Sequence, residues 1–252
     1  MAFSTRIYAD YGMEKKTGTD KYHSLGTILE LPDGREFKYA KAGGVALGLG
    51  LTVATPAPVA HHDMDLVAAA AAVGATSITL TLEGTQATED QYADGYLYIN
   101  DGHGDTAAGQ GQVYRVAGHD TIGSSSAGAF NLAENDKVAV ALTTNARAGL
   151  IANPYSAVVV TPTTVLNRTC GVPATEIAAS AYGWVQTKGL AAVQVLGTMV
   201  VGQHIRVAGV TTAGVVETLT RAGSSEDEQS IGVYMGIVSV TTDMALVWLD
   251  ID

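Results

Sequence analysis

The 252-residue sequence predicts an all-β fold, and two observations carry that expectation. The chain breaks into short runs of alternating apolar and polar residues punctuated by Gly, Pro, Asn and Asp, which is the pattern of half-buried strands joined by turns. Composition agrees: 47% of the residues are hydrophobic, mostly Ala, Val and Leu, only 15% are charged, and there are 29 glycines. β-Branched strands and tight turns suit such a composition better than long amphipathic helices do. A chain of this length and apolar content buries a core in one large β domain or two smaller ones.

Residues 1–24 are polar, rich in Tyr and Lys, and hold neither a helical nor a strand period for long. They read as an extended N-terminal arm that orders against a neighbour. Thr27 to Leu31 and Arg35 to Tyr39 alternate on either side of Pro32-Asp33-Gly34, so they form a hairpin whose turn dihedrals Pro and Gly supply. From Lys41 to Ala60 glycines and Pro56-Ala57-Pro58 predict an irregular connection with one short strand near Leu49 to Val53. Asp65 can cap a short helix over Leu66 to Val73, closed by Gly74, because the alanine run has high helical propensity. Ser77 to Leu82, Tyr96 to Ile99, Gln112 to Val116 and Lys137 to Thr143 then read as four strands. With the short helix they make a small β-rich domain with long loops over residues 25–152.

Asn153-Pro154-Tyr155 opens a third region, 153–252. Ala157 to Val160 is strand-like, and Pro162 and Pro173 mark loops or sheet edges. Beyond Tyr182 the spacing tightens. Trp184 to Gln186, Ala191 to Leu196, Gln203 to Ala208, Gly214 to Leu219, Ile231 to Tyr234, Gly236 to Val240 and Leu246 to Ile251 are successive short strands, the signature of a C-terminal β-barrel or sandwich. Trp184 and Trp248 both fall in strands and are expected in the core.

Fourteen Lys and Arg against 25 Asp and Glu give a net charge of −11, which repels a phosphate backbone and argues against nucleic-acid binding. The first residues lack the basic flank and apolar core of a signal peptide, and no window approaches the roughly 18 apolar residues of a membrane span. Synthesis in a cytoplasm is therefore expected. Cys170, the single cysteine, excludes an internal disulfide and reads as a packed side chain rather than a nucleophile.

The constellations that resemble chemistry have simpler readings. His61-His62-Asp63-Met64-Asp65 carries metal-ligand residue types, but adjacent loop histidines seldom converge on one ion. Asp101-Gly102-His103-Gly104-Asp105 alternates oxygen ligands, so Asp101 and Asp105 suggest calcium, yet the following Gly and distal Glu of a calcium loop are missing. Gly123 to Gly128 is a Ser/Gly loop without nucleophile-elbow spacing. Asp94 and Asp101 are ordinary turn aspartates unless they converge at glycosidase distance. Glu226-Asp227-Glu228 reads as a solvated loop tip. No phosphate-binding glycine motif occurs. No catalytic, cofactor or metal residue is assigned.

Tyr182-Gly183-Trp184-Val185-Gln186-Thr187-Lys188-Gly189, the Gly-punctuated stretch from Gly197 to Gly202, Ile231-Gly232 and the terminal Leu246 to Ile251 resemble the C-terminal β domain of tailed-bacteriophage head proteins. Gln91 to Tyr96 and Asn153-Pro154-Tyr155 extend the resemblance over residues 75–252. It implies a capsid decoration (cement) protein on the outer surface of a virion, bridging capsomers of the major capsid protein as a trimer or dimer. A long amphipathic spine helix, which a major capsid protein of the common phage fold needs, has no matching window here. Tyr8, Tyr11 and Tyr22 lie in the arm, away from any local core, and are the candidates for touching a neighbouring subunit or the capsid. The alternative from another class is a peripheral β module that binds host-surface glycans.

Overall fold

The computed structural model describes residues 5–101, 109–163, 167–208, 212–219, 229–236 and 243–251. It is all-β, and its only helical element among these residues is one 3₁₀ turn at Met13–Lys15. The strands are β1 (Arg6–Tyr8), β2 (Ile28–Glu30), β3 (Glu36–Lys41), β4 (Val53–Ala54), β5 (Leu66–Ala68), β6 (Ser77–Thr81), β7 (Tyr96–Asp101), β8 (Val113–Gly118) and β9 (Ala127–Leu132). They continue with β10 (Arg147–Ile151), β11 (Val159–Val160), β12 (Thr169–Pro173), β13 (Tyr182–Gln194), β14 (His204–Val207), β15 (Val216–Thr218), β16 (Gly232–Tyr234) and β17 (Met244–Asp250). No helix among the described residues is long and apolar enough to cross a membrane.

Two compact units form, and one interrupts the other in sequence: residues 58–153 make one unit, while 1–57 and 154–252 together make the second. This differs from the sequential division at 24 and 152. The reason is non-local pairing: β3 joins β13 through Tyr39↔Trp184 and its neighbours, which ties residues near 40 to residues near 184. The chain leaves through β4 and returns through β11, and these two strands pair, with Val53 opposite Val160 and Ala54 opposite Val159.

The inserted unit is a closed barrel in the order β10-β5-β6-β9-β8-β7. Inward positions alternate along each strand, so Ile78, Leu80, Leu97, Ile99, Val116 and Phe130 fill its core. Closure removes the sheet edges that would otherwise invite pairing with other chains. The expected helix at 66–73 is corrected here: Leu66 to Ala68 is β5, a barrel stave paired to β6 and β10. Helix propensity of the alanines loses to the burial of Leu66 and Ala68 and to two ladders of backbone hydrogen bonds. Lys137 to Thr143 is likewise not a strand. It is irregular, with Val138 and Leu142 buried and one bridge, Leu142 to Ala71.

The larger unit is a sheet in the order β1-β2-β3-β13-β17-β16-β14-β15, with β12, β4 and β11 attached beside β13. The hairpin expected around Pro32-Asp33-Gly34 is present as β2 and β3, Leu29 opposite Phe37. The 13-residue β13 changes partners midway: its first half pairs with β3 and its second with β17. At the switch a register shift between Gln186 and Lys188 frees carbonyls, and the buried Gln186 amide donates to the Lys188 and Leu190 oxygens. Gly189 sits at the bend with φ +87°, a conformation that L side chains rarely adopt.

The N-terminal segment is less free than an arm. β1 adds to β2 in parallel, Gly18 exchanges backbone bonds with Tyr182, and Ile7, Ala9 and Met13 pack on the cluster of Leu29, Phe37, Tyr39 and Trp184. Gly236 to Val240, Glu226 to Glu228 and the Gly102-to-Asp105 loop fall wholly or largely outside the described residues.

Candidate functional site

Two features of the larger unit are candidates for a site. The first is an aromatic cleft. Tyr39 on β3 and Trp184 on β13 are directly opposite each other across the ladder, which brings their rings to 5.0 Å between centroids. Tyr182, two residues before Trp184 on the same face, stacks on Tyr39 at 5.7 Å and 10°. His23 completes the group, edge-on to Tyr39 at 5.1 Å and tilted against Trp184 at 5.4 Å. Trp184 and Tyr39 are both buried, 2% and 4% exposed, beneath the half-buried Tyr182.

Over these rings runs the segment 13–22, held by the Gly18–Tyr182 backbone pair and by Tyr22, whose N–H donates to the Tyr39 hydroxyl at 3.2 Å. Burial pushes the Tyr39 phenol above the usual tyrosine range, and desolvation pulls His23 below that of a free imidazole. The hydroxyl therefore stays protonated at neutral pH and can donate to the Asp20 carbonyl oxygen. The open cleft measures about 820 Å³, within the size range of small-ligand clefts. Lys15 and Lys16 line its rim, and the Lys41 ammonium lies 5.5 Å from the Tyr182 ring centroid.

The second feature is an uncovered sheet face. β17 alternates strictly, with Ala245, Val247 and Leu249 buried and Met244, Leu246 and Trp248 outward. On β13, Leu190 and Ala192 project to the same side, opposite Trp248 and Leu246 respectively, and Val233 of β16 flanks Trp248. Trp248 is 46% exposed, so the expectation that it is core is corrected, while Trp184 is where it was expected. Both faces of β17 are apolar, and alternation alone does not say which one the core takes.

The three tyrosines expected at an interface are all exposed: Tyr8 by 74%, Tyr11 by 61% and Tyr22 by 69%. They do not converge. Tyr22 borders the aromatic cleft, whereas Tyr8 lines a shallow groove with Pro32 and Glu30. Beside it the Arg6 guanidinium is ion-paired to Glu30 and reaches Glu36 at 3.4 Å, so β1 is pinned to the hairpin by charge as well as by its ladder.

The histidine pair separates. His61 is exposed near Glu83, but His62 is fully buried in the barrel. The Thr85 carbonyl can only accept, so in the neutral ring Nε2 carries the proton and Nδ1 accepts from the Tyr92 hydroxyl at 2.6 Å. His119 also packs on Tyr92, its Nε2 accepting the Tyr92 N–H. No group of three or more metal-ligating side chains converges among the described residues. Asp94 is engaged by Arg115 at 3.1 Å. The Cys170 thiol is buried and pushed up to about 12, the wrong direction for a nucleophile.

Sequence reasoning missed the cleft as a site, although its signal was there: aromatics at alternate positions on two strands, Phe37 and Tyr39 on one, Tyr182 and Trp184 on the other. What it could not supply was the register that sets Tyr39 against Trp184. No family model, no curated protein and no solved structure matches the chain.

Proposed function

We propose that the protein is a structural component of a virion, a decoration protein that binds the outer surface of a phage capsid and bridges capsomers. The observation that carries this reading is the uncovered face of β13 and β17. Leu190, Ala192, Leu246 and Trp248 lie side by side without a charge among them. Contiguous exposed apolar surface of this kind on a stable framework is characteristic of protein–protein contact, and an aromatic residue at its centre is the usual energetic anchor. The exposed Tyr8, Tyr11 and Tyr22 add rigid amphipathic contact area elsewhere on the same unit.

The partners in this reading are the major capsid protein and further copies of the chain, as a trimer or a dimer. The net charge of −11 favours a position away from packaged nucleic acid. The resemblance of residues 75–252 to phage head proteins points the same way. Stabilisation needs no catalytic step: each copy binds the assembled lattice and not the dispersed subunits, so occupancy raises the free energy of disassembly by mass action.

The experiment is to mix the purified protein with capsids that lack it and to image them by cryo-electron microscopy while following capsid melting. The expected result is ordered density at symmetry-related outer sites and a higher melting temperature. Bare capsids of unchanged stability would sink the reading.

A further inference from the structure

We propose that β1 is a self-association edge, to which a second copy of this chain adds its own β1 antiparallel, with Tyr8 opposite Tyr8 across a two-fold axis. The two ends of the long sheet path are unlike. At one end β15 is met by the chain that follows β13: Val195 bridges Val216, and the Leu196 N–H donates to the Val216 carbonyl oxygen. At the other end β1 pairs with β2 alone. In that parallel ladder the Ile28 N–H donates to the Thr5 oxygen and the Ala9 N–H to the Glu30 oxygen, so residues 5, 7 and 9 turn their backbone groups toward β2. The N–H and C=O of Tyr8 therefore point away from the sheet and meet no partner among the described residues. An exposed edge takes up a further strand unless something blocks it, and β1 carries no proline, lysine or bulge.

The strand that fits this edge is a copy of itself. Ile7 and Ala9 pack on the cluster of Leu29, Phe37 and Trp184, which leaves Arg6, Tyr8 and Asp10 on the opposite face. In an antiparallel pair centred on Tyr8, Arg6 stands opposite Asp10 of the second copy, and symmetry repeats the match. The two Tyr8 side chains, each 74% exposed in the single chain, then form a cross-strand aromatic pair. The Arg6 guanidinium meets both Glu30 and Glu36 through Nη1, and a guanidinium has five N–H groups, so a further carboxylate can join the network. Centring the pair on Arg6 would instead set two guanidiniums against each other, the like-charge arrangement that destabilises a ladder. About five residues a side bury well under the roughly 800 Å² per partner of a stable complex, so the dimer is weak and forms with concentration.

The pairing belongs to the free chain and uses a different strand from the β13–β17 face, so it and the capsid role fail separately. The first test oxidises Tyr8→Cys in the full chain. Directly opposed hydrogen-bonded residues of antiparallel strands lie about 5.5 Å apart at Cα, within the span of a disulfide, and the buried Cys170 takes no part. Tyr22→Cys, nearly as exposed at 69% but away from β1, measures chance collision. A covalent dimer that forms at least tenfold faster from Tyr8→Cys is expected. In sedimentation, the unaltered chain should show a dimer that grows with concentration. Tyr8→Pro removes the outward N–H but no bond of the β1–β2 ladder, and should raise the dissociation constant at least tenfold with little change in melting temperature. The proposal is overturned by equal rates for the two cysteine variants, by a chain that stays monomeric at every concentration, or by a dimer that Tyr8→Pro leaves intact.

Discussion

Leu190 and Trp248 stand directly opposite each other on β13 and β17, and both point away from the core that Ala191 and Val247 help to build. A cross-strand pair of this kind contributes to the sheet and at the same time forms the centre of an unoccupied apolar surface. Replacing Trp248 by Ser is expected to weaken binding to capsids by tenfold or more, about 1.4 kcal/mol, as for other aromatic anchors. The cost to folding stability should be roughly 2–3 kcal/mol, since about half of the side chain is buried. Co-sedimentation with capsids measures the first and urea denaturation the second; a loss of stability without loss of binding would remove Trp248 from the interface.

Gly232 pairs with Leu249, and a Cβ on it would overlap the Trp248 carbonyl oxygen of the neighbouring strand. Backbone cannot yield as a flexible side chain does, so Gly232→Ala should cost several kcal/mol, roughly 3 or more. Soluble yield and the urea midpoint report it. A near-normal midpoint would mean that β16 and β17 separate at little cost.

In the barrel, Tyr92→Phe removes the hydroxyl that satisfies His62 Nδ1 and leaves a buried acceptor without its donor. The expected loss is about 1–3 kcal/mol in barrel unfolding. The ring itself stays in place, so a smaller effect would show that the hydroxyl is dispensable and only the aromatic packing of Tyr92 matters.

Two weak acids, the buried Cys170 and the partly buried Tyr155, link stability to alkaline pH. Desolvation pushes the Cys170 thiol from its ordinary 9.0 up to about 12, and that of Tyr155 pushes its phenol from 10.0 up to about 12. Between those limits the unfolded chain releases protons that the folded chain keeps, so stability is intact below about pH 9 and falls as pH rises toward 12. Melting temperature should decline over that window, with a Cys170→Ala variant declining less steeply above pH 9. Ellman's reagent at pH 8 should label no thiol in the native protein and one after denaturation. Rapid native labelling would place Cys170 nearer the surface than its packing indicates.

The all-β class and most of the late strands were legible because alternation and turn residues are local signals. The failures share one cause, competition between local preference and distant partners. Ala68 to Ala72 favours a helix, yet Ala68 pairs with Leu80. Gly128 argues against a strand, but β9 needs a residue without a side chain there because Ile122 occupies the space. The cleft depends on Tyr39 meeting Trp184, a contact between residues far apart in sequence whose register no short window contains. Tyr8, Tyr11 and Tyr22 were found as exposed aromatics, but that only Tyr22 borders the cleft follows from the Gly18–Tyr182 bridge.

The pairing of β4 with β11 means that the two points where residues 58–153 depart and return are held side by side by strands of the other unit. A linker in place of residues 58–153 would leave Tyr155 and Val158, which pack in the core of the sheet, where they are. The barrel is therefore a cassette: a lineage can exchange, lengthen or drop it while the framework that presents the apolar face and the aromatic cleft is retained. The same junction offers the engineer a place to graft a foreign domain by both of its ends.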